Sequence, residues 1–456
     1  MHILFLTDNF PPEVNAPASR TFEHAREWVR AGHQVTVVTG VPNFPTGRVF
    51  PGYRNRLWQQ EWMEGVRVIR VWTFVAANRG RIRRTLDYLS FGLMAVLGGL
   101  CVRRPDVVVG TSPQIFTVCA AWLVSRVKQR PFVFELRDLW PASIQAVGAV
   151  RRSTLLKAVD AVVRFLYRQA ALVVCVTESF RTELLALGVN RSRIVVVRNG
   201  ADGTRFFPRP KDRELLHRLG FDGYLVVGYI GTIGMVHGLQ TVLEAARELQ
   251  REPVRFLLVG DGAERVALER LAQQWSLTNV RFAGLVSKDD VVRYWSVLDL
   301  ALIPLRKTPV FRTVLPSKLF ESLAMGVPVL LGVEGEAARL VAETGVGLCL
   351  EPEHVPALVS AIRHLRSSPG ELQAMQRRCV AVAAQHSRTR RAQEMLKVLE
   401  HVVTGMTSQV ELAPPAPVHA EFGLCAPEPS PSCGTGAAVD VMGEQATTRH
   451  PEAGRL

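Results

Sequence analysis

The stretch GTIGMVHGLQTVLEA, residues 231–245, places Gly231, Gly234 and Gly238 between an apolar run and a helix expected from about Leu239. A strand that empties into such a turn presents bare backbone N–H groups, a ready site for an anion. The turn carries Thr232 and His237 but no Lys or Arg. A second apolar run, VRFLLV, ends in Gly260 and Gly262, and ligands of open α/β sheets sit at such strand ends. A third run, LDLALIP, leads into LRKTPVFRTVLPSKLFES, which concentrates Arg306, Lys307, Arg312 and Lys318. Pro316 and Ser317 open a helix there, with Ser317 the candidate N-cap. Lys318 and Glu321 stand one helical turn apart, so the cation missing from the glycine turn can come from this neighbouring loop. The plainer readings are a solvated loop for Arg306 and Lys307, and a surface ion pair of little energetic worth for Lys318 and Glu321.

These residues need a scaffold, and the pattern around them supplies one. Short apolar runs alternate with helical stretches in both halves: HILFLT, QVTVVT, VRVIRVW, DVVVGTS, FVFELRD, ALVVCVT and RIVVVRN, then YLVVGYIG, VRFLLVGDG, VRFAGLV, LDLALIPL, VPVLLGV and VGLCLEP. Continuous apolar strands between helices predict parallel sheets covered on both faces, here two doubly wound α/β domains. The boundary falls in RNGADGTRFFPRP, giving domains at 1–200 and 201–404. From residue 405 to 456 the composition turns to Ala, Pro, Gly, Ser and Glu without periodicity, which reads as a disordered tail.

The 456 residues carry a net charge of +14, and residues 1–200 alone hold 27 Lys and Arg against 13 Asp and Glu. That points the first half toward an anionic surface or substrate, although an Arg-preferring genome would give the same excess. Nucleic acid is the weakest partner, since the basic residues lack interleaved aromatics or a recognisable module. Seven scattered Cys suggest neither a disulfide framework nor a metal cluster, and the chain opens on a strand rather than a signal peptide, so a reducing cytoplasm is expected. The first loop, NFPPEVNAPASR, contains no glycine, which excludes the dinucleotide fingerprint and with it a nicotinamide or flavin enzyme. Asn15 and Ser19 there are candidate contacts across a cleft. Tyr88–Val102 is an uncharged run flanked by Arg79, Arg81, Arg83 and Arg84 and by Arg103 and Arg104. It reads as a buried helix, an interfacial helix or, being short for it, a membrane span.

GTIGMVHGLQTVLEA, LVGDG and LPSKLFESLAMGVPVL, with DNFPPE, ELRDLWPASI and VRNGAD, resemble the family 4 retaining glycosyltransferases of the GT-B fold over about residues 1–400. The likeness is to the O-antigen and colanic-acid branch, which includes N-acetyl-fucosamine transferases. Where many members carry Arg and Lys in the glycine turn, this chain has Gly, Met, Val and His237. Glu321 matches the second of the family's two glutamates, and Thr313 stands where the first would be. The resemblance implies a nucleotide-sugar donor, no metal and no other cofactor. It also implies a polyprenyl-linked or glycan acceptor at the inner face of a bacterial cytoplasmic membrane. The glycosidic diphosphate bond must break, so preorganised donors should meet the charge developing on the leaving group. The amides around Gly231, Thr232 and Gly234, with Lys318 and Arg312, are then expected on the pyrophosphate, flanked by His237, Arg306 and Ser317. Glu321 is expected on the ribose, Gly260 and Gly262 beside the base, and Asp138 on the acceptor or as a helix cap. A nucleotide-sugar 2-epimerase of the same architecture, or a non-catalytic nucleotide-binding partner, would share most of these features.

Overall fold

The computed structural model describes residues 1–44, 46–76, 81–139 and 154–405. Arg79 and the tail from Met406 lie outside the described residues. The first sheet comprises β1 (His2–Leu6), β2 (Gln34–Gly40), β3 (Trp58–Met63), β4 (Val66–Val71), β5 (Val107–Thr111), β6 (Phe132–Leu136), β7 (Leu172–Cys175) and β8 (Ile194–Val196). Its order is β3-β4-β2-β1-β5-β6-β7-β8. The second comprises β9 (Leu225–Ile230), β10 (Val254–Val259), β11 (Val280–Gly284), β12 (Leu300–Pro304), β13 (Val329–Gly332) and β14 (Gly347–Cys349), ordered β11-β10-β9-β12-β13-β14. All pairings are parallel except β3 with β4. The helices of the first half are α1 (Ala16–Arg30), α2 (Arg81–Cys101), α3 (Ile115–Lys128), α4 (Thr154–Gln169) and α5 (Glu178–Ala186). Those of the second are α6 (Arg213–Leu219), α7 (Gln240–Glu248), α8 (Arg265–Gln274), α9 (Val291–Ser296), α10 (Ser317–Ala324), α11 (Glu336–Thr344), α12 (Val355–Ser367), α13 (Pro369–Gln385) and α14 (Arg388–Thr404).

Each sheet is buried on both faces, which is why its strands are apolar throughout: Ile3 and Phe5 face one core, Leu4 and Leu6 the other. β3 is the exception. WQQEWM alternates, lies at the sheet edge and is joined to β4 by a hairpin with left-handed Glu64 and Gly65. The chain also crosses back once. α14 leaves the second domain and puts Met395, Leu396, Val398 and Leu399 into the core that holds Trp28, whose indole N–H donates to Ala392 O at 2.8 Å. The closing helix expected with residues 201–404 therefore packs on the first domain.

α2 answers the ambiguity over Tyr88–Val102. Gly98 lies against Val38 and Val71, and Gly99 against Val124, so one face is buried at close approach. Its opposite face shows Leu86, Leu89, Leu93 and Leu97 to solvent, with Leu93 63% exposed. No helix among the described residues is long and apolar enough to cross a membrane.

Candidate functional site

Each sheet reverses its winding once, at β9/β12 and at β1/β5, and the crevices beyond these switch points are where such sheets bind ligands. At β9/β12 the glycine turn meets the loop after β10 backbone to backbone. A Cβ on Gly260 would stand 1.8 Å from Gly231 O, and one on Gly262 2.3 Å from Ile233 O. Ile233 N donates to Asp261 O at 2.9 Å. These two glycines thus shape the turn by letting the next loop press on it, rather than standing open beside a base. Gly234 is extended and Gly238 left-handed, and between them Met235–His237 forms one tight 3-10 turn before α7 begins at Gln240. The glycine turn is therefore set off from the α-helix by an extra turn.

The missing cation is Lys318. Its Nζ lies 3.8 Å from the centroid of the Tyr229 ring, and a Cβ on Gly231 would be 2.9 Å from it. The Nζ is buried without a hydrogen-bond partner among the described residues. Burial pushes its pKa down to about 7, against the pull of Glu321. An ammonium held dry at the mouth of an amide-lined turn is poised for an anion. His237 is not a second cation. Its ring stands 5.5 Å from Tyr229, and burial with the adjacent Lys318 charge holds it well below its ordinary pKa, hence neutral.

The other predicted cations hold ion pairs, and Arg306 does so while resting on the turn, its backbone N–H donating to Val236 O at 2.9 Å. Arg312 pairs with Glu334 at 2.6 Å, Arg306 with Glu264 at 3.5 Å and Lys307 with Glu351 at 2.6 Å, all on exposed loops. Ser317 is the first helical residue of α10 and Pro316 the cap, with no side-chain capping bond. Lys318 and Glu321 form no surface pair. Glu321 is pushed up to about 7 by burial and lies within electrostatic reach of Arg388, Glu23 and Lys288. Glu23 of α1 itself takes Arg388 at 3.0 Å and Lys288 at 3.9 Å, so this carboxylate sits beside ion pairs that join the two domains. A further tie is Glu336, which accepts from Glu178 N at 3.2 Å and from Ser179 N and Oγ at 2.9 Å, capping α5 of the first domain.

The crevice at β1/β5 is a cavity of about 310 Å³ whose rim includes Thr232 of the glycine turn. Asn15 lines it and also caps α1, accepting from Ala18 N at 2.9 Å. Ser19 lies in the first turn of α1 and does not line it. Nor does Asp138, whose N–H, with that of Arg137, donates to Ser112 Oγ. Asp8, Glu13 and Asp87 do line it; the first two bound the quoted DNFPPE stretch without being singled out, and nothing local marks Asp87. Glu13 is committed to the N–H groups of Asn43 and Phe44 at 2.9 and 2.8 Å.

Two α/β domains, each with a switch-point crevice, have the GT-B fold. The particular family follows from sequence: residues 15–200 match the Glycosyl transferase 4-like domain and residues 224–368 the Glycosyl transferases group 1, so the chain belongs to these glycosyltransferases. It is 29% identical over 380 residues to a protein named as a colanic acid biosynthesis glycosyl transferase, WcaI of Escherichia coli, covering 80% of this chain and 91% of that one. Among solved structures, sucrose-phosphate synthase from Thermosynechococcus elongatus superposes with a TM-score of 0.72 at 16% identity, over 89% of this chain and all of that one. Anabaena HepE in complex with UDP-glucose gives 0.65 at 17%, over 88% and 99%. Sequence relatives in polysaccharide synthesis also include TuaH of Bacillus subtilis, named for teichuronic acid biosynthesis.

Proposed function

We propose that this enzyme transfers a sugar, with retention and without a metal, from a nucleoside diphosphate donor to a lipid-linked acceptor in the synthesis of a bacterial surface polysaccharide. UDP is the favoured nucleotide. The observation that carries the reading is the unpartnered Lys318 ammonium against Gly231. It supports a diphosphate held by Lys318 and the amides of the turn, with Glu321 on the ribose and the acceptor in the crevice at β1/β5. As the glycosidic bond breaks, charge builds on the leaving phosphate, and a fixed ammonium in a dry site lowers that barrier more than water would. The acceptor hydroxyl then bonds to the anomeric carbon on the face the phosphate leaves, passing its proton to that departing phosphate, beside Thr232. The colanic and teichuronic acid relatives support the pathway class, and HepE with UDP-glucose supports the donor class.

The leucine face of α2 supports peripheral attachment at the inner face of the cytoplasmic membrane. Leu123 and Val127 of α3 and Val162 and Phe165 of α4 are also exposed, and Arg83, Arg103, Arg104, Arg126 and Arg130 stand exposed on α2, α3 and the turns after them. Apolar side chains ringed by Arg fit an anionic leaflet, each cation contributing about 1 kcal/mol near its surface. The test is a thermal-shift titration with UDP, GDP, ADP and TDP, with and without EDTA. Stabilisation by one diphosphate, about 2.7 kcal/mol at 100 times its Kd and unchanged by EDTA, is the expected result. No shift with any of the four would overturn the reading.

A further inference from the structure

The cavity at the first switch point differs in charge from the one facing it. The donor crevice offers an ammonium and amides. The other offers carboxylates: Asp87, whose Oδ1 accepts from Thr73 Oγ1 at 2.8 Å, and Asp8 at the end of β1. Burial raises both above the ordinary carboxylate range, Asp87 to about 6 with Asp8 adding to the rise, against the pull of Arg84 on both and of Arg137 on Asp8. The cation on the lining, Arg84, is turned onto Tyr88, with its Nε donating to the phenol oxygen at 2.7 Å and its guanidinium 5.2 Å from the ring centroid. Apart from Glu13, the remaining polar groups, among them Asn15 and Thr232, are neutral.

Sugars are bound by planar acceptors that take hydrogen bonds from hydroxyls, and a carboxylate accepts but does not donate when ionised. A second negative charge placed against such a pair is rejected, and like-charge juxtaposition is how sites discriminate between otherwise similar ligands. Resting on the transferase reading above, we propose that the crevice at β1/β5 binds the terminal sugar of the acceptor, that this sugar is uncharged, and that Asp87 and Asp8 set the preference by accepting its hydroxyls. A uronic acid is excluded from the position. Glu13 plays no part in selection, because its carboxylate is spent on holding the first loop to the end of β2.

The experiment uses the full chain saturated with the nucleoside diphosphate that stabilises it. The probes are phenoxyundecyl diphosphates carrying glucose, N-acetylglucosamine or glucuronate, followed by saturation-transfer NMR and titration calorimetry. Both neutral probes are expected to bind at least about 10-fold more tightly than the glucuronate probe. Asp87→Asn keeps the shape and the Thr73 contact, and should shrink that ratio to below about 3-fold by weakening the neutral probes and admitting the glucuronate. Asp8→Asn should move it the same way. Equal or tighter binding of glucuronate by the unaltered protein, or a ratio untouched by both substitutions, overturns the proposal. Nucleotide stabilisation, recorded on every variant, separates the outcomes: its retention shows a folded donor site, so a failed ratio then counts against the acceptor proposal alone, whereas its absence in the unaltered protein counts against the transferase reading.

Discussion

Replacing Lys318 by Met separates a ligand-binding cation from a structural one. A lysine held at about 7 instead of its ordinary 10.5 costs the folded state at most about 5 kcal/mol below neutral pH. Glu321, whose carboxylate gains from the ammonium, returns part of that cost. The folded chain releases the proton near 7, while the unfolded chain keeps it to about 10.5. Unfolding therefore takes up a proton in that window, and this residue's contribution makes stability rise with pH there. Methionine fills the same space against Tyr229 without a charge. Lys318→Met should therefore be more stable than the unaltered protein at pH 6, by a few kcal/mol at most, with the gain shrinking toward pH 10. Nucleotide binding should behave in the opposite way. At pH 8 the free lysine is mostly neutral, and a diphosphate beside it restores the ammonium, so binding should take up between about half a proton and one proton. Calorimetry of UDP binding in two buffers of different ionisation enthalpy reads that uptake directly. The variant should show none, bind more weakly and turn over at least about 100-fold more slowly. No uptake at pH 8, together with undiminished affinity in Lys318→Met, would refute the assignment of this ammonium to the diphosphate.

Gly262→Ala should abolish nucleotide stabilisation, since the new Cβ would stand 2.3 Å from Ile233 O, where only backbone can yield; the strain of overpacking, about 1–3 kcal/mol, should also appear as a lowered Tm. Leu93→Glu with Leu97→Glu should remove sedimentation with anionic liposomes while leaving nucleotide stabilisation intact, because both side chains face solvent; undiminished sedimentation would exclude α2 as the attachment face. Glu336→Ala should leave the N–H groups of Glu178 and Ser179 and the Ser179 hydroxyl without their acceptor, with Thr177 still capping Phe180 N, and cost about 2 kcal/mol. Small-angle scattering should then show a larger radius of gyration, and an unchanged curve would deny this contact a role in holding the domains.

Much of this was legible in the chain, and the exceptions share a cause. Strands buried on both faces announce themselves as apolar runs, so thirteen of the fourteen strands stand where the apolar runs are. The fourteenth, β3, is an edge strand that alternates with Gln and Glu, and its partner rather than its composition makes it a strand. Lys318 was legible because a helix N-terminus and a strand end fix its place within one loop. The fate of Arg312 was not, since Glu334 lies 22 residues further on and reaches it only in the folded chain. Likewise nothing local tells α14 that Trp28 awaits it on the other domain, or marks Asp8 and Asp87, nearly 80 residues apart in sequence, as lining one cavity.

The placement of the lysine follows from the packing of the turn. Gly231, Gly260 and Gly262 bring two backbones into contact, and that contact leaves the turn rigid. The cation arrives instead from α10, across the Tyr229 ring, where its stem is held by packing and its charge is preorganised. The same helix carries Glu321, within reach of Glu23, Lys288 and Arg388, groups drawn from α1, the loop after β11 and the start of α14. Opening the cleft would pull Glu23 from Lys288 and so change the field at Glu321, while moving Thr232 off the rim of the acceptor crevice. The crevice at β1/β5 and the domain arrangement thereby share their groups: Thr232 of the second domain lines that crevice in the same arrangement in which α10 brings Glu321 within reach of Glu23, Lys288 and Arg388.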